Sequence, residues 1–425
     1  MPSPANDTDK PSAAVAPWGL LVVASVAALV GVAIYSTAEP SEPCLGGDAA
    51  LGATWSEARR DTLRSAVVNQ GPAYGRETWG RLEPALLAWT SAWIQAHNRI
   101  CQATRVDHIQ TPRDEALQLH CLARAQARFD AFATVLADAT DATTERAIET
   151  MARLAAPERC VSHAGQEPRS HAAAIAERIP PLRRRLDEAQ ARGDAGQAQV
   201  ALQTALEVTA RAQALNAGSL ELDALHLAAT QRLALAQPHA ALPPLLDAYA
   251  RASEDPAEDP AEDPAEDPAE DPAEDPAENP AENPAEDPTR AFRAALALIH
   301  TTGVHLRRLE EAQAWHGRAL EQLARSPTPD PLAEADATAA LAAAQYASGA
   351  FGPAVLGYTH ALDLQRSELA ADDVRLVSTL FGLAQSLRAD GRDEFSAVAT
   401  QTLELATASL GEAHPRVARI SAALN

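Results

Sequence analysis

Residues 337–364 read ATAALAAAQYASGAFGPAVLGYTHALDL. Leu341, Ala342 and Tyr346 recur at helical spacing, Gly349 interrupts, and Phe351, Ala354, Tyr358, Ala361 and Leu362 resume the same spacing. The stretch predicts two helices joined by a tight turn at the glycine. Large residues of the first helix face small ones of the second, so the two backbones approach closely. The pattern then returns. Leu383, Ala384, Leu387 and Gly391 open another copy, and Gly349 to Gly391 sets a period of 42 residues. The second helix of that copy, ending in Leu403-Glu404-Leu405, reads one residue short after Gly391.

These positions resemble the tetratricopeptide repeat (TPR). Residues 409–418, SLGEAHPRVA, resemble the connector between repeats of the kinesin-light-chain type, with Gly411 ending one helix and Pro415 opening the next. Weaker copies precede them: Gly193, Ala198, Ala205 and Leu206; Leu225, Ala229, Ala241 and Ala248; Ile299, Ala312, Ala319 and Leu320. The resemblance implies an all-α solenoid over residues 180–425, about five helix pairs with a last helix capping the stack. Composition agrees, since hydrophobic residues make up 46% but aromatics only 4%, which leaves alanine and leucine to carry the packing. TPR grooves commonly bind extended peptides or partner helices. Aligning the copies puts Arg183, Asp187, Asp223, His226, Thr230, His305, Tyr346, Phe381, Gln385 and Arg388 at the groove-facing positions of the inner helices. The ordered lysine and asparagine clamp that grips acidic chaperone tails is missing.

At the other end, no charged residue occurs between Lys10 and Glu39. Trp18 to Tyr35 is an eighteen-residue apolar run with an aromatic at each end. At about 1.5 Å per residue it spans ~27 Å, close to a bilayer core, and terminal Trp and Tyr suit the interface. Ser36-Thr37-Ala38 offers small residues for signal cleavage, but the run exceeds a signal core, which favours an uncleaved anchor. Residues 1–17 then form a short cytoplasmic tail. Lys10 precedes the segment and no Lys or Arg follows until Arg59, so the bulk of the chain is expected outside the inner membrane.

The cysteines fit that side. Cys44, Cys101, Cys121 and Cys160 fall in one helical region, about residues 44–165, and read as a disulfide framework. Trp79, Leu82, Leu86, Trp89, Trp93 and Ile100 mark the apolar face of one helix, with Pro84 near its start. Thr111-Pro112-Arg113-Asp114 starts the next, which continues through Leu117, Cys121, Phe129, Phe132 and Leu136. Three pairings are possible. Similar rises of Cys101 and Cys121 from the intervening turn favour joining those two, with Cys44 and Cys160 tying the ends. His97, Cys101, His120 and Cys121 lack any metal-binding spacing, and the tryptophan stripe fits core packing better than a ligand cage.

The run from Pro43-Cys44 through Trp55, Ala58-Arg59-Arg60, Tyr74, Trp79, Trp93 and His97 resembles a known extracytoplasmic region. The likeness continues in Cys101-Gln102-Ala103-Thr104-Arg105-Val106, Cys121-Leu122 and Cys160. That region belongs to bacterial transmembrane serine/threonine kinases, between the membrane helix and a C-terminal TPR array. Gln118 stands where the family usually has arginine three residues before the third cysteine. The seventeen residues before the membrane segment hold no Gly-rich loop, His-Arg-Asp or Asp-Phe-Gly motif. The resemblance implies envelope topology and a signalling history, not catalysis.

Charge excludes further classes. The net charge of −23 argues against nucleic acid as a partner. Lys10 is the only lysine, so no phosphate-loop, kinase or Schiff-base lysine exists within a fold. No nucleophile elbow, HExxH or EF-hand loop is present, so neither an enzyme nor a cofactor is expected. Residues 254–289 form nine Glu-Asp-Pro-Ala-type units with sixteen carboxylates. Proline at every fourth position precludes a continuous helix, and the run reads as an extended, disordered tether between two repeat helices. The expectation is a membrane-anchored TPR protein that binds protein or peptide partners, or senses, at the envelope, linked to kinase-type signalling. The alternative is a small-ligand receptor in residues 44–165 with the repeats as relay.

Overall fold

The computed structural model describes residues 44–52, 54–162, 177–253, 287–326 and 330–425. The apolar segment 18–35 lies outside these residues, as does the acidic run except for Asp287-Pro288-Thr289. Among the described residues every regular element is helical, and no helix is long and apolar enough to cross a membrane.

The first region comprises α1 (Gly47–Leu51), α2 (Glu57–Arg64), α3 (Gly75–Arg105), α4 (Pro112–Ala137), α5 (Asp141–Arg153) and α6 (Arg159–Ser162). The tryptophan stripe of α3 is its core: Trp79, Leu82, Leu86, Trp89, Trp93 and Ile100 are all buried. Trp89 stacks flat on Phe129 of α4, with ring centroids 4.4 Å apart. The indole of Trp89 donates to Ala155 O at 3.1 Å and that of Trp93 to Leu122 O at 3.0 Å, so neither buried N–H is stranded. Helix α4 starts at a reciprocal cap: Thr111 Oγ1 accepts from the Asp114 amide and Asp114 Oδ2 from the Thr111 amide. Pro84 is not near a helix start, because α3 begins nine residues earlier, at Gly75. It is tolerated there because Pro84 and Gly80, whose carbonyl loses its partner, both face solvent.

The disulfides correct the expected pairing. Cys44 bonds Cys101 and Cys121 bonds Cys160, with Cα separations of 5.3 and 5.6 Å. Equal rise from the turn matched the heights of Cys101 and Cys121 but not their azimuths. Cys101 shares a face of α3 with Ile94 and Asn98, on which Gly47 is seated by a 3.0 Å bond from its amide to Asn98 Oδ1. Cys121 shares a face of α4 with Gln118, which donates to Val161 O of α6 at 2.8 Å. With sequence separations of 57 and 39, each bridge stabilises by about 4 kcal/mol in the loop-entropy estimate.

The second region is an array of antiparallel helix pairs. These are α7 (Ile179–Asp194) with α8 (Ala198–Ala214), α9 (Gly218–Ala234) with α10 (Pro238–Ser253), and α11 (Pro288–Ile299) with α12 (Leu309–Ala324). Then come α13 (Pro331–Ala347) with α14 (Phe351–Glu368), α15 (Leu376–Ala389) with α16 (Phe395–Leu410), and finally α17 (Pro415–Leu424). The turns share one device. Gly196, Asn216, Ala236, Arg307, Gly349 and Gly391 each sit two residues beyond the preceding helical segment with positive φ. The following amide then bonds back across the turn, as in Gln197 N to Arg192 O, Ala217 N to Ala212 O and Gln237 N to Arg232 O. Gly193, read as a repeat glycine, instead lies within α7 and admits the Gln231 side chain. Nor is the copy after Gly391 short: buried Ala399, Thr402 and Ala406 follow Ala354, Tyr358 and Leu362 by 44 or 45 residues, so the turn gains residues.

Small residues set the spacing of the array. Ala335, Ala337, Ala340, Ala342 and Ala344 of α13 are essentially solvent-free. A Cβ at Gly303 would meet Ala344 and Ala312, and one at Gly382 would run into the Tyr358 ring. The acidic run leaves after Ser253 and the chain returns beside its departure point, since the Asp287 amide donates to Ala252 O at 3.1 Å.

Both ends of the array rest on the disulfide-bearing region. At one end, Ala131 and Val135 of α4 pack with Ala191 and Ala195 at the C-terminus of α7. At the other, Ile148 and Ala152 of α5 join the cluster of Val417, Ile420 and Leu424 of α17. Arg416 and Arg419 of α17 form ion pairs with Glu149 and Glu145 of α5, and Arg81 donates to Ala408 O at 2.9 Å. The ring of His414 reaches Glu145 O at 3.0 Å.

Candidate functional site

Where the two regions meet, they leave a cleft of about 1070 Å³. The exposed side of α3 contributes Ala85, Ala88 and the edge of Trp89, and α5 contributes Ile148 and Met151. The array answers with Phe292 and Leu296 of α11, Leu332 and Ala333 of α13, and the 368–375 connection. The lining also carries charged side chains, Arg81, Arg153, Arg293 and Glu368 among them. Arg375 pairs with Asp373 at 2.7 Å, and Arg159 lies 3.9 Å from Asp330. Asp336 and Arg153 also line the cleft. The Asp336 carboxyl is pushed up to about 6 by burial, with Arg153 opposing and Asp330 reinforcing the rise. It is reached by water yet flanked by protein, as a carboxyl in a cleft should be. Among the described residues no group of three or more His, Cys, Asp or Glu side chains is arranged to hold a metal.

The residues expected to face a groove separate into two sets. Arg183, Asp187, Asp223, His226 and Thr230 gather on α7 and α9, where Arg183 and Asp223 partner each other and Asp187 and Thr230 have partners outside the set. Asp223 accepts from Arg183, from Arg290 Nε at 3.0 Å and from Arg293 at 2.9 Å. Burial alone would raise its carboxyl; Arg290, Arg293 and Arg183 overcome that and hold it far below the usual carboxylate range. Asp187 faces Arg128 Nε of α4 at 3.8 Å, and burial pushes its carboxyl up despite that neighbour. His226 is lowered to about 3 by burial and then by Arg293, so the imidazole is neutral, and its buried Nδ1 has no partner. Thr230 Oγ1 donates to Leu227 O within its own helix.

The second set is dispersed. His305 is exposed at the end of the widened turn that follows α11. Tyr346 packs against Phe351, ring centroids 5.5 Å apart, and Arg388 lies over the Phe395 ring at 5.7 Å. Each of these contacts bridges the tight turn to the next helix. Phe381 joins the apolar cluster that includes Ile148 and Ala152, and Gln385 is half-buried beside it on α15.

Sequence reasoning missed Arg124, Arg128, Arg290 and Arg293, which surround the first set. A signal existed for two of them: His120, Arg124 and Arg128 recur every fourth residue on α4, a polar stripe on a helix otherwise read for its apolar face. Burial lowers the Arg124 guanidinium to about 10, with Arg183 and Arg128 adding to the fall. No protein-family model matches this chain, and comparison with curated proteins finds no match.

Proposed function

We propose that this chain is a membrane-anchored, tetratricopeptide-type sensor of the cell envelope that binds its ligand or partner in the cleft between its two regions. One observation carries the reading: the disulfide-bearing region contacts the first and last helices of the array and shares with it a cleft of about 1070 Å³. A lining that interleaves apolar and charged side chains suits a small polar molecule or a short peptide segment. Occupancy would touch both regions at once, so binding and their mutual seating are linked. An extended peptide laid along the first two pairs fits less well, because Arg183, Asp187 and Asp223 already hold intramolecular partners. The two disulfides favour an oxidising compartment, which agrees with export behind the segment 18–35. The link to serine/threonine kinase signalling rests only on the resemblance, which covers nearly the whole chain after residue 18.

The test uses the full chain in detergent, with its melting temperature read against size-fractionated envelope extracts. A stabilising fraction should lose its effect on Ala88→Trp, which fills the cleft from its exposed α3 wall. Equal stabilisation of both proteins, with unliganded melting unchanged, would refute the cleft as the binding place.

A further inference from the structure

The junction of α4, α7, α9 and α11 carries more positive charge than its own carboxylates neutralise. Five guanidiniums meet there, from Arg124, Arg128, Arg183, Arg290 and Arg293, against the carboxylates of Asp187, Asp223 and Asp287, with Asp194 also facing Arg128. Three of the five are committed. Arg183, Arg290 and Arg293 converge on Asp223, and Arg290 also pairs with Asp287. Arg128 reaches Asp187 only loosely, at 3.8 Å. Arg124 is the exception. Half-buried on α4 between Arg128 and Arg183, it makes no hydrogen bond or ion pair among the described residues.

The carboxylates that attract it, Asp223 and Asp187, are already engaged by other arginines, so a half-buried guanidinium beside two like charges is left for an anion to complete. The fourfold spacing puts His120, Arg124 and Arg128 on one line along α4, with Arg183 facing them from α7. The His120 end is exposed, which leaves an entrance. We propose that Arg124, with Arg128 and Arg183 beside it and His120 at the mouth, binds a small oxyanion, the planar guanidinium donating two parallel N–H bonds to it. A carboxylate or a phosphate group meets that description. None of these four residues lines the cleft, although Arg293, paired with Asp223 beside them, does, so Arg124→Gln tests this site without altering the cleft lining.

Calorimetric titration of the full chain in detergent tests it, using inorganic phosphate, then a short peptide with a free C-terminal carboxylate, then the same peptide amidated. Potassium chloride at matched ionic strength sets the background of simple screening. Saturable binding of phosphate, or of the free-acid peptide but not the amide, supports the site and identifies the source of the oxyanion. Arg124→Gln should weaken that binding roughly 10- to 100-fold, the loss of a charge-assisted bond. Without anion, the same variant should melt no lower than the parent, because it removes repulsion and breaks no pair. The proposal is overturned if none of the three probes exceeds chloride, or if Arg124→Gln binds as the parent does.

Discussion

Removing residues 254–286 and bridging Ser253 to Asp287 with four glycine- and asparagine-rich residues should stabilise the protein. The ends to be joined already touch, because the Asp287 amide donates to Ala252 O at 3.1 Å. The run therefore closes a loop on one spot of the array. The loop-closure cost grows as (3/2)RT ln n, so a loop about eightfold shorter is cheaper to close by about 2 kcal/mol. Denaturant unfolding with both disulfides intact reads this as a higher midpoint. A second term must be kept apart: the run is dense in carboxylates and enters α11 directly before Arg290 and Arg293. That attraction is screened within about 10 Å at 0.1 M salt, whereas the entropic term is indifferent to salt. The gain should therefore persist at high ionic strength. A fall of more than about 1 kcal/mol that survives in salt would mean the run makes stabilising contacts, and the loop argument would be wrong.

Three further outcomes can be checked by unfolding. Asp223→Asn leaves Arg183, Arg290 and Arg293 facing one another without their carboxylate and should cost about 3–5 kcal/mol. Because the folded-state carboxyl of Asp223 is depressed, its contribution is fully present above the ordinary value of about 3.9 and is lost as pH falls. The parent and Asp223→Asn should thus converge in acid, and a gap constant down to low pH would contradict the assignment. Ala236→Gly should raise stability by about 0.5–1 kcal/mol, since Ala236 holds φ +56° at the turn after α9; no gain would show that this turn is not strained. Gly382→Ala should cost about 1–3 kcal/mol by driving a methyl into the Tyr358 ring, with the loss relieved in a Tyr358→Leu background.

What could be read ahead of the structure followed from local periodicity. The spacing of Leu341 to Leu362 and the glycines at 349 and 391 announced helix pairs, because apolar repeat and left-handed turn are both local properties. Asn216, Ala236 and Arg307 occupy the same turn position without glycine, so residue type gave no notice of them. The disulfide pairing depended on azimuth about two helices, which rise along the axis does not reveal. The charged cluster was half visible: Arg183 and Asp223 were picked out one by one, but their union with Arg290 and Arg293 spans the acidic run. Long-range pairing of this kind has no signature in spacing. The cleft was invisible for the same reason, since its walls come from residues as far apart as Ala85 and Ser409.

The seating of α7 and α17 on one disulfide-linked core changes what kind of object the array is. An open stack of repeats is a chain of neighbours that melts inward from its two tips. A stack whose tips share a common footing has no tip to melt from, and is better pictured as a belt with the cross-linked region as its buckle. A rotation at any one helix pair must be taken up by the others, because the circumference is fixed. Movement at the buckle would accordingly be felt on the far side of the loop, with no single path of contacts needed to carry it there.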